Sequence, residues 1–432
     1  MSRMVRVGID YGTSMSKLVF RDPAAAGGEK AYVVVHNGSF RVPSSVAFID
    51  DEFVFGFDRS TTETCAAWFE SVKMRVAEEA KGDNRKYCYA PHAPLPAGVS
   101  SAGLAALTVW FLLGIAHQAA ASHLGCKRED VAVSTTLGIP MSFYDDPALR
   151  NVFLFIARTA RRIYDECGPM VGDRVSMACG RDLLTYYAVD GGSRLEDGSD
   201  LRDYIRSEAE SALWFTLNSP SVAPGPYAEV DIGAGTTHSS IFWVREAFRA
   251  GQWQRDHLAF YSARSFPYGM DAVDERLALF AGIPADQRLG IRGQEWKLIQ
   301  KFQVPEIKNS FLDLRWAYES AWRQACPRLS LPEKQRFRTH DVFVIGGGSL
   351  IPELTAQYRE HPDHYPQLLR TRSAERPDDL VRTDGKDLLV GDLPFVSVAY
   401  GLSFDAGMVP EPDQEHECVE HPERAFVHYE DR

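Results

Sequence analysis

Apolar residues recur in short alternating runs early in the chain, and helical spacing replaces that pattern further on. The alternating runs predict strands at four places, namely 5–9, 17–21, 31–36 and 46–55. Helical spacing appears near 61–80 and at 103–124. The second of these helices is apolar on every side but carries His117, Gln118 and His123. We therefore expect a buried core helix rather than a membrane span.

Strands and helices keep alternating through the rest of the chain. The pattern predicts, in order, a buried strand at 130–140, a helix at 146–164, a Gly- and Asp-rich insertion at 165–205, a hairpin at 228–244, a mostly helical stretch at 270–340, and a strand, glycine turn and helix start at 341–354. Such alternation is typical of the α/β class. From about residue 409 the chain is acidic, and we expect a loose tail there.

Two distant segments share one plan. They read GIDYGTSMSKLVF at 8–20 and EVDIGAGTTHSSIFWV at 229–244. Each has an apolar strand, then Asp10 or Asp231, then a glycine turn with hydroxyl residues, then a second apolar strand. The repeat predicts two related lobes, each of which offers one such turn.

The residue types in these turns are suited to phosphate. The glycines Gly12, Gly233 and Gly235 can adopt positive φ and leave space above the backbone. Consecutive N–H groups then form an anion nest, to which hydroxyls are added by Thr13, Ser14, Thr236 and Thr237. The two aspartates would repel a bare phosphate, so they indicate Mg²⁺ between acid and anion. Two opposed turns would grip the β- and γ-phosphates of a nucleotide.

Other structures for these segments stay open. A single turn of this kind is equally typical of a hairpin whose Asp caps its own backbone, and the second copy is what favours a phosphate site. The signature GxxxxGK[ST] is absent, so this is not a P-loop. A third glycine turn lies in VIGGGSLIPEL, where Gly346, Gly347, Gly348 and Ser349 precede a helix start. There the backbone can approach a flat ligand.

Composition narrows the class of protein. The 432 residues predict two or three domains, and 45% hydrophobic with 25% charged residues indicate a folded chain. The net charge of −12 argues against a nucleic-acid binder. Seven cysteines without a CxxC pair indicate a reducing compartment. We find no leader-like pattern ahead of the first strand and no run of about 20 apolar residues. We therefore expect a cytoplasmic protein that does not bind membranes.

The motifs together resemble the nucleotide-binding domain of DnaK-type heat-shock chaperones, in the actin, chaperone and sugar-kinase ATPase superfamily. Besides the two phosphate hairpins, the segments that carry the resemblance are VPSSVAFIDDEFVFGFDRS at 42–60, WFESVKMR at 68–75, TTLGIPMSFYDDPALRNVFLFIARTA from 135, SEAESALWF at 207–215, LRWAYESAWRQAC at 314–326, IGGGSLIPEL and VSVAYGLS at 396–403. They occur in the family's order over nearly the whole chain.

The resemblance implies a two-lobed actin-like ATPase fold, in which each lobe is a mixed β-sheet flanked by helices and the nucleotide lies between the lobes. Lobe I would span 1–225, with an outer subdomain at 37–125, and would be closed by 393–410. Lobe II would span 226–392, with an outer subdomain at 266–340. Residues 411–432 would form the acidic tail.

The resemblance also implies roles for individual residues. Lys73 falls on the family's catalytic lysine. Glu208 and Asp231 would orient the attacking water, while Asp10 and Asp231 would hold Mg²⁺ through its waters. His238 stands where the chaperones have an aspartate, and actins carry a histidine in a similar setting. It would therefore order the water near the γ-phosphate, or it is simply satisfied at a lobe interface.

The base side departs from the family. Glu319 and Arg323 would lie near the base and ribose, but the family's stacking arginine, lysine and acid are replaced by Leu350, Trp322 and Phe395. Trp322 is either a stacking face or part of the core, with core favoured. Base recognition is thus weaker than in the family, or it uses Trp322 and Arg323.

Two further features have plainer interpretations. Lys17 follows the first turn on the outgoing strand, where we expect it to be exposed rather than to bind phosphate. The segment HECVEHPERAFVH at 416–428 groups three histidines and a cysteine, so zinc is conceivable, but a Pro-broken polar tail is favoured. Lys73 could likewise be a solvated helix lysine, and the match of SVKMR favours the site.

These observations predict a slow Mg-ATPase that acts as a chaperone-like nucleotide switch. About thirty residues follow VAYGLS, too few for a peptide-binding domain, so we expect the switch to act through a partner protein. Two alternatives remain: an actin-like, ATP-dependent filament protein, and a catalytically weak or inactive nucleotide-binding scaffold. A small-molecule kinase is a weaker alternative, since no motif for its catalytic aspartate is found.

Overall fold

A computed structural model describes most of the chain, namely residues 3–26, 28–58, 65–82, 93–188, 200–244, 258–266, 268–280, 305–360, 369–373 and 375–405. This part is a mixed α/β protein with three sheets. Its strands are β1 (Arg3–Asp10), β2 (Met15–Asp22), β3 (Lys30–Val33), β4 (Val42–Pro43), β5 (Val46–Ile49), β6 (Glu52–Phe55), β7 (Ala67–Phe69), β8 (Val131–Ile139), β9 (Arg174–Ser176), β10 (Ile205–Ser207), β11 (Gly225–Ile232), β12 (Thr237–Val244), β13 (Leu258–Phe266), β14 (Asp341–Ile345), β15 (Arg370–Arg372) and β16 (Leu380–Arg382).

Helices alternate with these strands, as the sequence predicted. In the described residues they are α1 (Val72–Lys81), α2 (Ser101–Leu124), α3 (Met141–Asp145), α4 (Pro147–Cys167), α5 (Met177–Tyr187), α6 (Glu208–Leu217), α7 (Met270–Phe280), α8 (Pro305–Ala325), α9 (Leu331–Phe337), α10 (Pro352–Ala356) and α11 (Leu393–Leu402). Local signals set their ends. Asp146 caps α4 by accepting from the N–H of Ala148 at 3.0 Å, and Gly125 ends α2 at φ 63°.

The first and second halves of the chain each build a sheet around one hairpin. The first hairpin (β1 and β2) is antiparallel, and β8 runs parallel to β1 in a seven-stranded sheet of order β10-β8-β1-β2-β3-β16, with β4 on β2. The second hairpin (β11 and β12) is also antiparallel, and β14 runs parallel to β11 in a five-stranded sheet of order β13-β12-β11-β14-β15. Both predicted hairpins are therefore confirmed, and they have the same local topology.

The helices α6 and α11 join the two sheets. They cross each other so closely that a Cβ on Gly401 would overlap the backbone of Ser211. In the same way, a Cβ on Gly8 of β1 would overlap the carbonyl of Ala399 on α11. Glycine at these two positions lets backbone meet backbone. The connection between the halves is consequently tightly packed.

The predicted core helix is confirmed as α2. It is long and apolar enough to cross a membrane by length and composition, yet 89% of its apolar window is buried inside the protein. His117, which the apolar pattern left unexplained, donates its Nε2–H to the Arg128 carbonyl at 2.9 Å and contacts the hydroxyl of Tyr164 through Nδ1. The histidine is thus a satisfied core side chain.

Three expectations about elements were inaccurate. The run 46–55 is two paired strands rather than one, because Asp50 and Asp51 adopt positive φ and turn the chain. The expected helix at 61–80 begins only at Val72, since 67–69 pairs with β5. The expected insertion at 165–205 contributes β9, which pairs with β6 in a third sheet of order β7-β5-β6-β9.

The remaining boundary predictions are partly outside the described residues, including the tail 411–432 and much of 266–340. One difference is visible. The chain returns to the first sheet at β16, which pairs with β3, ahead of the expected return at 393.

Candidate functional site

The turns of the two hairpins meet in the folded protein. A Cβ placed on Gly235 would lie 2.8 Å from Oγ1 of Thr13 and 3.0 Å from Sδ of Met74. Thr13 and Met74 are themselves buried. The turn after β11 therefore lies directly against the turn after β1 and the start of α1, and any side chain at position 235 would separate them.

The glycines of the turns are needed for space rather than for positive φ. None of Gly12, Gly233 and Gly235 lies in the left-handed region, which corrects the sequence expectation. The amide of Gly12 donates to the carbonyl of Asp10 at 3.0 Å, and that of Gly233 donates to the carbonyl of Thr236 at 2.9 Å. These two N–H groups are consumed within their own turns, so the expected nest does not include them.

Lys17 lies beside Asp10 and is not exposed, contrary to the sequence expectation. In the antiparallel register Asp10 stands directly opposite Lys17. The Lys17 Nζ donates to Asp10 Oδ2 at 2.9 Å, and the two side chains are only 15% and 9% exposed. Side chains opposite each other in an antiparallel pair lie on the same face. The signal in the sequence that could have placed Lys17 beside Asp10 was their separation of seven residues across a short turn.

Asp231 occupies the matching position in the second hairpin, opposite His238. Burial, together with the nearby carboxylates of Glu208 and Asp10, raises the pKa of Asp231 to about 6, although His238 and Lys17 act in the opposite direction. The electrostatic influence of Asp10 on Asp231 means that the two hairpin acids are neighbours. A buried carboxylate among other acids is a site where a cation is favoured.

Lys73, Glu208 and His238 form a buried cluster beside the two turns. Lys73 Nζ hydrogen-bonds Glu208 Oε1, and His238 Nε2 lies 3.3 Å from Glu208 Oε2. Burial acts to raise the pKa of Glu208, but the charges of Lys73 and His238 and their hydrogen bonds lower it to about 2. Glu208 is thus held as a carboxylate between a cation and an imidazole.

Local structure places these side chains. Lys73 is the second residue of α1, which begins after Ser71 in the left-handed conformation, at φ 49°. Glu208 is the first residue of α6, where the side chain of Ser207 caps the helix by accepting from the Glu210 N–H at 3.5 Å. A carboxylate in the first turn of a helix is also favoured by the helix dipole.

The third glycine turn packs against the second hairpin. Gly346 has φ 75°, and a Cβ there would overlap Asp231 Oδ1. A Cβ on Gly348 would lie 2.8 Å from Cβ of Ile232 on the same strand. The turn is held by Ser349, whose hydroxyl donates to the Gly346 carbonyl at 2.7 Å. Since only glycine fits at 346, the backbone of this turn borders the Asp231 carboxylate directly.

Several hydroxyl and imidazole atoms next to the turns have unused hydrogen-bonding capacity. Among the buried side-chain atoms that lack a hydrogen-bond partner in the described residues, three lie on β12 after the second turn, namely Thr237 Oγ1, Ser239 Oγ and His238 Nδ1. Thr236 Oγ1, in contrast, lies 3.2 Å from His238 Nε2. Buried polar atoms without a hydrogen-bond partner are rare in folded proteins, so their presence here requires an explanation. An oxygen-rich ligand that enters between the turns would supply partners.

The residues predicted to lie near the base differ in their burial. Trp322 is buried and stacks on His340 at an interplanar angle of 8°, so it is a core residue, which was the favoured alternative. Glu319 accepts from Arg315 Nε at 3.0 Å, and the side chain of Arg323 is 71% exposed. Leu350, which replaces the family's stacking arginine, is 50% exposed. A stacking role for Trp322 is therefore ruled out by its position.

The donor set fits a hydrated Mg²⁺ better than a directly coordinated metal. Across the described ranges, no group of three or more His, Cys, Asp or Glu side chains converges on one point. Asp10 and Asp231 supply two neighbouring carboxylates, and Mg²⁺ typically keeps several waters when one or two carboxylates and a phosphate hold it. The predicted group at 416–428 lies outside the described residues.

One functional-looking residue was missed by the sequence analysis. Glu229, two positions before Asp231, is buried, and Thr216 of α6 donates to its carboxyl group. Burial and the Asp231 charge raise the pKa of Glu229 to about 8, although the hydrogen bond from Thr216 lowers it. The alternating pattern of β11 gave no signal for it, since Glu229 alternates with the apolar residues Ala228, Val230 and Ile232 and is buried all the same.

A separate cavity of about 670 Å³ lies in the first half of the chain. It is bordered by the segment after β3, by α2 and by residues 170–173. None of the predicted site residues lines it. The chemistry suggested by the sequence is concentrated between the turns instead.

No protein-family model matches this chain, and no curated protein matches its sequence. The assignment of the site therefore depends on the geometry of the two turns and on the motifs that resemble the chaperone ATPases.

Proposed function

We propose that this protein binds Mg-ATP between its two hairpin turns and hydrolyses it slowly to ADP and phosphate. The observation that carries the proposal is the meeting of the two acid-and-glycine turns. The charge of Asp10 acts to raise the pKa of Asp231, and Gly235 abuts Thr13. Two unrelated hairpins with self-capping aspartates would have no reason to bring these particular positions together.

The same proposal assigns the chain a two-lobed fold of the actin and chaperone ATPase kind. Its support is the shared topology of the two sheets, in which an antiparallel hairpin is joined by a parallel strand, β8 or β14. The close crossing of α6 and α11 between the sheets fits a connection that relates two lobes. Motion of one lobe against the other would then open and close the site.

The residues of the site have distinct parts in hydrolysis. Phosphoryl transfer depends mainly on positioning and on neutralising charge. Asp10 and Asp231 would hold Mg²⁺, which would supply positive charge at the β- and γ-phosphates. Hydroxyls of Thr13 and Ser14 bind phosphate oxygens. Lys73 approaches the γ-phosphate and stabilises the charge that develops there.

A water near the γ-phosphate is oriented by Glu208. This carboxylate is kept ionised by its neighbours, with a pKa of about 2, so it can accept a hydrogen bond from water at neutral pH. His238 lies on the other oxygen of the same carboxylate and fixes its direction. The pairing of Lys73 with Glu208 must loosen when the phosphate enters, which agrees with slow turnover.

The protein acts by changing conformation according to whether ATP or ADP is bound. ATP draws the two turns together, hydrolysis relaxes them, and a separate protein reads the difference. The proposed class is thus a chaperone-like ATP switch in the cytoplasm that acts through a partner.

Phosphate release tests the proposal directly. Purified protein is incubated with Mg-ATP, beside Asp10→Ala and a no-magnesium control, and ATP binding is measured by titration calorimetry. We expect slow, magnesium-dependent phosphate release that Asp10→Ala abolishes. Absence of ATP binding by the unmodified protein would reject the proposal.

An inactive nucleotide-binding scaffold is the second candidate. It is favoured by the tight engagement of Lys73 with Glu208 in a nearly dry setting. Binding without phosphate release would select it. Sedimentation in the presence of Mg-ATP separates both from a filament protein, which would pellet.

A further inference from the structure

A half-buried aromatic ring, that of Phe395, lies beside the third glycine turn. Phe395 is the third residue of α11, and its Cε1 would lie 3.5 Å from a Cβ on Gly347. The preceding residue of α11, Pro394, accepts the Gly346 N–H at 3.1 Å, which fixes the ring relative to the turn. The turn and the ring thus move as one unit.

The order of contacts gives this ring a defined place in the site. Asp231 borders Gly346, and the next residue, Gly347, borders Phe395. A ligand whose phosphates lie at the Asp231 end and whose body follows the glycine turn therefore reaches the ring one residue further along. In a nucleotide, the nucleoside is what lies at that end.

Arg41 completes the surface. Its guanidinium carbon lies 5.0 Å from the centre of the Phe395 ring and 5.7 Å from that of Phe40. The residue is exposed, and in the described part of the chain its guanidinium has no recorded hydrogen bond or ion pair. Its backbone is held by Ser39, whose hydroxyl accepts the Arg41 N–H at 3.0 Å. A planar cation is therefore held over an aromatic face, with no acidic partner among the residues that the structure describes.

We propose that Phe395 and Arg41 form a stacking platform for the nucleoside of the bound nucleotide. This inference depends on the function proposed above and names how that site selects its ligand. Aromatic and guanidinium planes bind any base by its π-face and discriminate little between bases. The platform carries no carboxylate or amide to read a base edge. The site therefore accepts ATP and GTP with similar affinity and favours both over an unattached polyphosphate.

Titration calorimetry with three probes tests the platform: Mg-ATP, Mg-GTP and Mg-tripolyphosphate. The variants are Phe395→Leu, which keeps an apolar side chain against the turn, and Arg41→Ala on the exposed side. Phe395→Trp enlarges the π-face and acts as the rescue variant. The matched control is Leu389→Ala, an apolar residue just before α11 that is 69% exposed. Thermal melting checks that each variant is folded.

We expect Phe395→Leu to weaken ATP and GTP by about 5- to 100-fold, with tripolyphosphate and the control unchanged and Phe395→Trp binding at least as well as the unmodified protein. ATP binding by folded Phe395→Leu at unmodified strength would overturn the platform, as would a discrimination of ATP over GTP by more than about 100-fold. Equal loss of tripolyphosphate would also overturn it. Binding of none of the three probes by the unmodified protein would overturn the ATPase proposal itself.

Discussion

The first and second hairpins have the same register but treat their acids differently. Asp10 stands opposite Lys17, and Asp231 stands at the same offset opposite His238. Lys17 bonds its own aspartate, whereas His238 contacts Glu208 on α6. The first hairpin neutralises its acid internally, while Asp231 stays buried among acids with a pKa of about 6.

A second difference lies two residues before each acid. The first hairpin has Gly8, which lets α11 pack against bare backbone. The second has Glu229, a buried acid bonded by Thr216 of α6. The two hairpins thus share the turn and its acid, but they contact the connecting helices differently: β1 packs its backbone against α11, and β11 presents a buried acid to α6. One half is rigid by close packing, and the other contains groups that can change charge.

Removing the lysine of the buried cluster should have the largest effect. Lys73→Ala removes the cation that Glu208 now holds and that the proposed γ-phosphate needs. Loss of one charge stabiliser typically costs about 10²–10³ in rate, so we expect ATP binding with very little phosphate release. Steady-state release and calorimetry measure the two effects.

The control for that experiment is Lys81→Ala, on the same helix, which removes a half-buried ion pair with Asp146. Its turnover should stay near that of the unmodified protein. If Lys73→Ala binds ATP and keeps the unmodified rate, Lys73 has no part in catalysis.

Gly8→Ala tests the close packing of the first half. Its Cβ would overlap the Ala399 carbonyl, so α11 must shift away from β1. Overpacking typically costs about 1–3 kcal/mol, and we expect a clear drop in melting temperature. Gly391→Ala is the control, because a Cβ at Gly391 meets no atom within 4 Å. Equal melting temperatures for the two variants would contradict the packing described here.

Lys17→Met tests how the charge of Lys17 affects the ionisation of Asp231. Mg²⁺ is attracted by ionised carboxylates, so Mg-ATP affinity should fall as the pH drops through about 6 and Asp231 takes up a proton. Lys17 lowers the pKa of Asp231. Its removal should therefore move the midpoint of the affinity profile to higher pH. Calorimetry between pH 5 and 8, with both proteins in the same buffers, isolates this shift from the titration of ATP itself. A midpoint that stays in place or moves down would refute the assignment.

Glu229→Gln should have the smallest effect. The pKa of Glu229 is raised in the folded state to about 8, so folding stability is lost as the pH rises from the unfolded value of about 4.3 towards 8. The neutral amide avoids this loss and can still accept from Thr216. We expect the variant to melt a few degrees higher than the unmodified protein at pH 8, with the gap closing at pH 5. A gap that is the same at both pH values would indicate that Glu229 does not titrate.

Much of this architecture was readable from the sequence. The apolar alternation and the two acid-and-glycine turns predicted both hairpins, and Gln118 with two histidines identified α2 as a core helix. The positions of Lys17 and Glu229 were not predicted. Both depend on which strand or helix faces a residue, and strand register and helix packing are set by contacts far along the chain. The short β9 strand was missed for the same reason, since only its pairing with β6 makes it a strand.

A double-mutant cycle on Asp10 and Asp231 tests the central claim that the two turns hold one magnesium-bound nucleotide. Mg-dependent ATP affinity is measured by calorimetry for the unmodified protein, Asp10→Asn, Asp231→Asn and the double variant. Since both carboxylates would hold the same ion, we predict that each single change removes most of the magnesium-dependent affinity and that the double change adds little. Independent, additive losses, or a full magnesium effect in either folded single variant, would contradict a shared site.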